Sequence, residues 1–297
     1  MKFFKGLAIA LCAASTAASI NASAAAAPSN ISITTFNIRY YGLGGSMGGT
    51  PAQEKRDATL KKFIAQYVPH SDLFVFQEIV DVDRLVKKVL PTNFECISYK
   101  HADPKHQHVV LCHKTDKLSF EDDPNDPDSL IQEVSVNARS RPAVHTLVAN
   151  RKGEVLFRLI GVHLKAFPHE STTRLGQIQS MTKFLSASKT QVPVVIGGDF
   201  NTYNSDPSNF SKVFKSSGLN LVEAKNPNTY TFRKGNMRSK FDRFWISNSA
   251  LSQVEPIDVY GVCNAGIRAM GTDFGDPSYY YNSISDHCPV TLTLKLN

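Results

Sequence analysis

The 297-residue sequence has little of several features that would place it in other protein classes. It has one tryptophan and five cysteines, with neither a thiolate cluster nor a His-Glu-x-x-His helix suited to zinc. No Pro-, Ser- or Gly-rich linker, internal repeat or low-complexity tract divides it. These absences argue against a zinc-ribbon protein, a repeat protein and a string of linked domains.

Long apolar runs are also missing, except at the N-terminus. Lys2 and Lys5 precede an apolar, small-residue segment at 6–20, and Ala22-Ser-Ala24 follows as a small-x-small cleavage site. We therefore predict a signal peptide over residues 1–24 and a secreted or periplasmic protein. No other stretch approaches about 18 consecutive apolar residues, so we expect no stable membrane insertion.

Basic residues outnumber acidic residues by 33 to 26, which gives a formal net charge of +7. Loss of Lys2 and Lys5 with the signal peptide reduces this to +5 (7 − 2). A basic exported protein suits an anionic partner such as a nucleic acid or a lipid headgroup. Residues 25–297 can bury about three quarters of their unfolded surface in one domain, so we expect a single domain. We also expect the protein to be a monomer.

Four cysteines remain once Cys12 is removed with the signal peptide. An even number in an oxidising compartment implies two disulfides, and four cysteines allow three pairings. Cys96 and Cys112 lie in strand-like segments that could form a hairpin. We therefore favour Cys96–Cys112 and Cys263–Cys288.

Strand-like and helix-like segments alternate irregularly along the chain. Apolar runs predict strands, and 3.6-residue periodicity predicts helices. The predicted strands cover 31–37, 72–78, 94–99, 109–113, 141–149, 154–162, 192–196, 241–246 and 290–296. The predicted helices cover 51–68, 170–188 and a segment capped by Asp81 that ends near 90, and the acidic stretch 121–128 is expected to be a solvated loop. This order predicts a mixed-sheet α/β protein rather than a regular βαβ series.

Polar residues follow several of these strands at the point where each strand ends. The run 192–196 is mostly β-branched without alternation, as in a strand buried on both faces, and Asp199 and Asn201 come soon after it. Residues two apart on an extended backbone project to the same side, and α/β proteins bind ligands at strand ends. The alternative is an Asx-type turn, since Gly, Asp and Asn are all good turn formers.

The residues collected from these strand ends form one chemical inventory. They are Asn37, Glu78, His163, Asp199, Asn201, Asp242, Asp286 and His287. Carboxylate and amide oxygens are ligands for Mg²⁺, Ca²⁺ or Mn²⁺. Two histidines beside carboxylates can divide acid and base roles. Each residue alone also fits a structural role, and only their common placement predicts an active site.

Six ordered motifs carry a resemblance to a known family. They are Thr35-Phe-Asn-Ile-Arg-Tyr-Tyr-Gly42, Phe76-Gln-Glu78, Gly161-Val-His-Leu164, Gly198-Asp-Phe-Asn201, Phe241-Asp-Arg243 and Ile284-Ser-Asp-His-Cys-Pro-Val290. The series resembles the endonuclease/exonuclease/phosphatase superfamily over essentially all of 25–297. Within it, the motif sequences are most similar to those of the deoxyribonuclease I branch. The resemblance implies a four-layer sandwich of two packed mixed β-sheets flanked by helices.

The resemblance also implies a metal and phosphate site. Glu78 would be the main metal ligand, aided by Asn37 and Asp286, and the ion would be Mg²⁺, with Mn²⁺ or Ca²⁺ left open. Arg141 would neutralise the scissile phosphate, and Arg39 would contact a neighbouring phosphate.

The family resemblance implies that the two histidines transfer protons. His163 would protonate the leaving oxygen, and His287, held by Asp242, would activate the attacking water. Asp199 and Asn201 would hold the scissile phosphate and the metal.

Three departures from the branch stand out. Val80 replaces an arginine that enters the DNA minor groove. His106-Gln107 replaces a glutamate that orients the acid histidine, and Gln107 is a neutral substitute. Arg139-Ser-Arg141 offers two arginines for the phosphate, of which we choose Arg141.

The leading interpretation is a secreted, divalent-metal-dependent endonuclease that hydrolyses DNA with little sequence specificity, with RNA left open. The alternative is a secreted sphingomyelinase-type phosphodiesterase or another phosphoesterase of the same superfamily, because Tyr279-Tyr280-Tyr281 could anchor a hairpin in lipid. A third possibility is a binding module that kept the fold without catalysis, which the full set of site residues argues against.

Overall fold

A computed structural model of the chain describes residues 29–43, 53–103, 105–137, 140–203, 206–225, 228–231, 237–251 and 253–296. The predicted signal peptide and Arg139 lie outside these residues. The strands are β1 (Asn30–Tyr41), β2 (Leu73–Ile79), β3 (Phe94–Ile97), β4 (His108–Lys114), β5 (Leu118–Glu121), β6 (Leu130–Ile131), β7 (Ala143–Asn150), β8 (Val155–His163), β9 (Val194–Asp199), β10 (Leu219–Val222), β11 (Tyr230–Thr231), β12 (Met237–Arg238), β13 (Asp242–Ser247), β14 (Asp258–Val259) and β15 (Val290–Lys295). The α-helices are α1 (Gln53–Tyr67), α2 (Val82–Arg84), α3 (Ser171–Ala187), α4 (Asp206–Lys215), α5 (Asn248–Leu251), α6 (Ala265–Ala269) and α7 (Pro277–Ser283).

Most of the strands form two mixed sheets. The first has the order β14-β15-β1-β2-β4-β3, and the second has the order β10-β13-β9-β8-β7-β5 with β6 paired to β7. The pairs β1–β2 and β8–β9 are parallel, and the other neighbours are antiparallel. The predicted sandwich of two mixed sheets flanked by helices is confirmed.

The two sheets approach closely where the site-bearing strands pack together. A Cβ added to Gly161 on β8 would lie 2.7 Å from Leu111 and 3.0 Å from Val75, both on the first sheet. A larger residue at this position would therefore push the sheets apart. The absence of a side chain here allows β8, which ends in His163, to lie against β2, which contains Glu78.

Helices cover the outer faces of the sandwich. The helix predicted over 51–68 is α1, whose Phe63 packs against Phe36 of β1 and Tyr280 of α7, with ring centroids 6.0 and 5.5 Å apart. Asp81 caps the next helix as expected, since its side chain accepts a hydrogen bond of 2.9 Å from the Arg84 amide. Among the described residues, no helix is both long and apolar enough to cross a membrane.

Both expected disulfides are present. Cys96 and Cys112 face each other across the antiparallel pair β3–β4, with Cα atoms 4.0 Å apart. The Cys263–Cys288 bridge joins residues with Cα atoms 6.1 Å apart. Because Cys288 follows His287 directly, this bridge anchors the segment that carries the last predicted site residue.

The expectation of a solvated loop at 121–128 is wrong for its central acid. The Asp123 carboxylate is buried and accepts a 2.5 Å hydrogen bond from Arg158 and a 2.6 Å bond from Thr190. Arg158 lies within β8 and also donates to the Ser188 hydroxyl at 2.9 Å. A guanidinium buried in a strand needs an anionic partner, and the loop folds inward to supply one.

We predict that Arg158→Met lowers the free energy of unfolding by about 3–5 kcal/mol, because it leaves the Asp123 carboxylate buried without its charge partner. Urea unfolding of the variant measures this. The matched control is Lys295→Met, which breaks a partly exposed pair with Glu255 and should cost less than about 1 kcal/mol. Equal stability of Arg158→Met and the wild type would contradict the prediction.

Candidate active site at the shared edge of the two sheets

The structure brings the predicted strand-end residues together at one edge of the sandwich. In the second sheet, Asp199 is the Cα partner of His163 on β8 and of Asp242 on β13. Side chains in register on adjacent strands share one face of the sheet, so these three stand in a row. The parallel pair β1–β2 of the first sheet delivers Asn37 and Glu78 to the same place.

The Asp199 carboxylate is the centre of this arrangement. Its Oδ2 accepts a 3.1 Å hydrogen bond from Asn37 Nδ2 and lies 3.6 Å from His163 Nε2 and 3.7 Å from His287 Nε2. Its Oδ1 accepts a 2.8 Å hydrogen bond from the backbone N–H of Asn201. Burial raises the pKa of Asp199 to about 7 against the opposing effect of the nearby His287. A carboxyl in this environment can exchange a proton near neutral pH.

His287 is the positively charged member of the site. Its Nδ1 lies 2.9 Å from Asp242 Oδ2. Burial disfavours its charge, but Asp242 and Asp199 outweigh that effect and raise the pKa of His287 to about 10. Asp199, Asp242 and His287 also bring ligand atoms within 4.8 Å of one another, as a metal-binding group would. Because His287 keeps its proton, we describe the group as an imidazolium held between two carboxylates.

His163 is the neutral counterpart. Burial, reinforced by the positive charge of Arg141, holds the pKa of His163 well below its ordinary value. Its Nε2 lies 3.9 Å from Glu78 Oε1, and among the described residues its buried Nδ1 has no hydrogen-bond partner. The suggestion that Gln107 could orient this ring is not met, because both Gln107 oxygens accept bonds from Arg141 instead.

Glu78 and Asp286 are two carboxylates close enough to act on each other electrostatically. Burial and the nearby Asp286 carboxylate raise the pKa of Glu78, which is the electrostatic situation that a bound divalent cation relieves. Oxygen donors of this kind fit a hard ion. Asn37 is arranged differently from the expected ligand: its amide nitrogen donates 3.1 Å bonds to Glu78 and Asp199, while its oxygen accepts from the Arg39 amide at 2.9 Å. It would offer oxygen to a cation only with the amide turned.

The backbone is strained at several of these positions. Arg39, Tyr40, Glu78 and Asn201 have φ values of +28°, +50°, +59° and +46°. Such values are uncommon for residues other than glycine and concentrate at functional sites. At Tyr40 and Glu78 the strained backbone allows a hydrogen bond within the site: the Tyr40 backbone N–H donates a 3.1 Å bond to Glu78 Oε2. The predicted strand 31–37 therefore continues to Tyr41 through an irregularity that carries donors into the site.

Arg56 was missed by the sequence analysis. Its buried guanidinium donates bonds of 2.7 to 2.9 Å to the carbonyls of Ile38, Arg39 and Ile284. It thus joins the end of β1 to the segment before Asp286. The available signal was an arginine on the apolar face of α1, four residues before the buried Leu60, where a charge needs a specific partner.

The remaining predicted residues lie around this centre. The positive charge of Arg141 lowers the pKa of both His163 and Glu78. The Arg39 guanidinium lies 4.2 Å from the centre of the Tyr281 ring. Val80 lies directly beyond β2, where its amide donates to the Tyr41 carbonyl at 2.7 Å.

The three consecutive tyrosines do not form a hairpin. Residues 279–281 lie on α7, where Tyr280 is fully buried and donates to the His287 carbonyl at 3.1 Å. Tyr279 packs on Phe274 with ring centroids 6.1 Å apart. Tyr280 thus holds the His287 segment, while Tyr279 and Tyr281 are half-buried on the same helix.

Comparisons with known proteins agree with this geometry. A sequence model of the Endonuclease/Exonuclease/phosphatase family matches residues 34–287. Similar solved structures include humanized D. rerio TDP2 with 14 mutations (TM-score 0.66, 16% identity, 91% of this chain and 100% of that chain) and D. rerio TDP2 complexed with a single-strand DNA product (0.65, 16%, 91% and 100%). An endonuclease/exonuclease/phosphatase from Bacteroides vulgatus has a TM-score of 0.64, 17% identity and coverage of 91% and 100%. No protein of curated function matches the sequence. At these identities the structural likeness shows the fold alone.

We predict that, in chelator, the His287 ring titrates near pH 10 while His163 stays neutral at pH 7. Asp242 and Asp199 outweigh the effect of burial on His287, whereas burial and the charge of Arg141 disfavour the charged form of His163. Histidine side-chain NMR of the protein, with His287→Gln for assignment, measures both. Asp242→Asn should lower the pKa of His287. A His287 titration near 6.5 in the wild type would contradict this assignment.

The same shift predicts how stability depends on pH. A folded-state pKa of about 10 lies above the unfolded value of about 6.5 for histidine. The stabilisation from His287 is therefore complete below pH about 6.5 and is lost as the pH rises towards 10.

Proposed function

Because the chain belongs to the endonuclease/exonuclease/phosphatase family, we propose that it is a secreted, divalent-metal-dependent endonuclease that hydrolyses DNA phosphodiester bonds with little sequence preference. The observation that carries this proposal is the placement of the Glu78–Asp286 carboxylates beside the Asp199–His287–Asp242 group. One part can seat a cation and the other can hold and move protons. Export rests on the apolar N-terminal segment and on the two disulfides.

Glu78 and Asp286 are the residues we assign to the cation, with Asn37 as a further ligand if its amide turns. Mg²⁺ is the preferred ion because the donors are oxygens, with Mn²⁺ or Ca²⁺ as alternatives. When bound, the ion supplies Lewis acidity that polarises a phosphoryl oxygen.

The electrostatics of the site favour proton-transfer roles that differ from those the family resemblance implied. His287 is protonated at neutral pH and, with Nδ1 bonded to Asp242, directs its Nε2 towards Asp199 and the centre of the site. We assign it to offset negative charge on the phosphoryl group and to give a proton to the leaving oxygen. Asp199, with a pKa of about 7, is the group suited to accept a proton from the attacking water.

His163 and Arg141 complete the proposed machinery. His163 is neutral and can donate one hydrogen bond without competing for the proton that His287 holds. Arg141 is fixed by both Gln107 oxygens, so its guanidinium is held for a phosphate oxygen with little further loss of freedom. Asn201 keeps the Asp199 loop in place through a 3.1 Å bond from its Nδ2 to the Leu164 carbonyl.

DNA is favoured over a lipid headgroup for two reasons. The chain is basic, and the tyrosines that suggested a membrane anchor are packed on α7. The similar structure of D. rerio TDP2 contains a single-strand DNA product, which supports DNA as the substrate class. Val80 in place of a groove-reading arginine leaves phosphate contacts as the main source of affinity, and such contacts carry no sequence information.

We expect Glu78→Gln to abolish most nicking of supercoiled plasmid while the protein stays folded, because the variant keeps the shape of the side chain and removes its charge. The wild type should lose activity in excess EDTA and recover it with Mg²⁺. Glu95→Gln on β3, an exposed residue, is the matched control and should cut like the wild type. Full activity in chelator would remove the metal from the proposal, and turnover of sphingomyelin vesicles without plasmid nicking would favour the lipid alternative.

His163→Ala and His287→Ala should each reduce plasmid cleavage at least about a hundredfold, with DNA affinity nearly unchanged, because both groups act on the transition state. Single-turnover cleavage and equilibrium binding measure the two effects separately. The control is His70→Ala, which removes an exposed imidazole elsewhere. A near wild-type rate for either site variant would exclude that histidine from the mechanism.

A further inference from the structure

The loop after His163 carries an exposed aromatic ring that the proposed chemistry does not use. Phe167 is 57% exposed, and it is the only phenylalanine or tryptophan among the strongly exposed large apolar residues of the described chain. A single exposed apolar residue needs no explanation by itself. The backbone around this one gives a reason to look further.

Phe167 is held in a conformation that a bulky residue rarely adopts. Its φ and ψ are +83° and +140°, a strained conformation that persists only where neighbouring contacts enforce it. Arg174, fully buried on α3, enforces it by donating to the Lys165 carbonyl at 2.9 Å and the Phe167 carbonyl at 2.6 Å. Asp206 fixes Arg174 in turn through bonds of 2.9 and 2.7 Å. The ring is therefore presented to solvent on a rigid support.

The ring has cationic and flat neighbours. The His169 imidazole lies parallel to it within 8°, with centroids 5.8 Å apart. The Lys165 ammonium lies 5.9 Å from the Phe167 centroid. We call these three side chains the Phe167 platform. It combines planar surface with positive charge, which is the combination that single-stranded nucleic acids bind.

The platform lies at the rim of the candidate active site. It begins two residues after His163, and the positive charge of Lys165 reaches that imidazole. The Arg174 guanidinium that binds the Phe167 carbonyl lies 5.1 Å from the centre of the Tyr203 ring. Tyr203 packs against Phe241 with centroids 5.0 Å apart, and Phe241 lies 6.1 Å from the His287 ring. These contacts connect the platform to both histidines of the candidate active site.

We propose that the Phe167 platform stacks an unpaired nucleobase beside the scissile phosphate, with Lys165 and His169 contacting the neighbouring backbone. This inference rests on the proposed nuclease function and narrows its substrate to DNA that is single-stranded, or locally opened, at this position. A lipid surface is the less favoured occupant, because one ring beside a lysine ammonium offers little apolar area to bury.

The test compares binding of a fluorescent single-stranded 12-mer in EDTA by the wild type, Phe167→Ala, Phe167→Leu and Phe167→Trp. Stacking of one base contributes about 1–3 kcal/mol, so Phe167→Ala should weaken binding about 5- to 150-fold. Phe167→Leu keeps apolar surface without a ring and should also weaken binding, whereas Phe167→Trp should retain it. Met270→Ala, which removes another exposed apolar side chain, is the matched control.

Hydrolysis of bis(p-nitrophenyl) phosphate with Mg²⁺ keeps the two proposals separate. All Phe167 variants should hydrolyse this diester within about twofold of the wild-type rate, because the probe lacks a nucleobase. Wild-type binding of the 12-mer by both Phe167→Ala and Phe167→Leu would overturn the platform while leaving the nuclease intact. Lost binding to phosphatidylglycerol vesicles with unchanged 12-mer binding would assign the surface to lipid instead. A wild type that hydrolyses the small diester but neither binds nor cuts DNA would refute the proposed function itself.

Discussion

The buried Asp199 carboxylate is the group on which the rest of the site depends. It lies between two imidazoles and accepts a hydrogen bond from Asn37, so it connects both sheets at the edge where their strands end. Burial raises the pKa of Asp199, and the Asp199 carboxylate in turn stabilises the charged form of the His287 imidazole. The different protonation of His163 and His287 follows from their positions around this one group. Asp242 bonds His287 directly through Nδ1, whereas His163 is buried near the positive charge of Arg141.

Buried arginines hold the surrounding loops in place. Arg56, Arg158 and Arg174 are among the largest fully buried side chains, and each is bound to carbonyls or carboxylates of segments distant in the chain. A guanidinium has several donors in a fixed plane, so one residue can bind several backbone or carboxylate oxygens at once. Loops that carry site residues lack the ladder hydrogen bonds of the sheets. These arginines supply the missing donors and hold strained conformations such as that of Phe167.

Much of the architecture could be predicted from local pattern. The β-branched run before Asp199 and the helical spacing of α1 predicted their elements because the period of apolar residues is set by which face is buried. The Cys96–Cys112 pairing followed from two adjacent strand-like segments. The loop at 121–128 could not be predicted in the same way. Its acidic composition is typical of solvated loops, and only the position of Arg158 in β8 makes Asp123 turn inward.

The sequence by itself determined the order of the strand-end residues and their chemistry, because residue type and the two-residue period of a strand are local properties. It also carried the family's motifs in order, and with them the expected fold. Only the tertiary structure decided which residues meet. It bonded both Gln107 oxygens to Arg141 and turned the Asn37 amide nitrogen towards two carboxylates. It also placed the three tyrosines on a helix. It also decided the charge of each histidine, because a pKa depends on burial and on charges brought close from distant segments, and neither can be read along the chain.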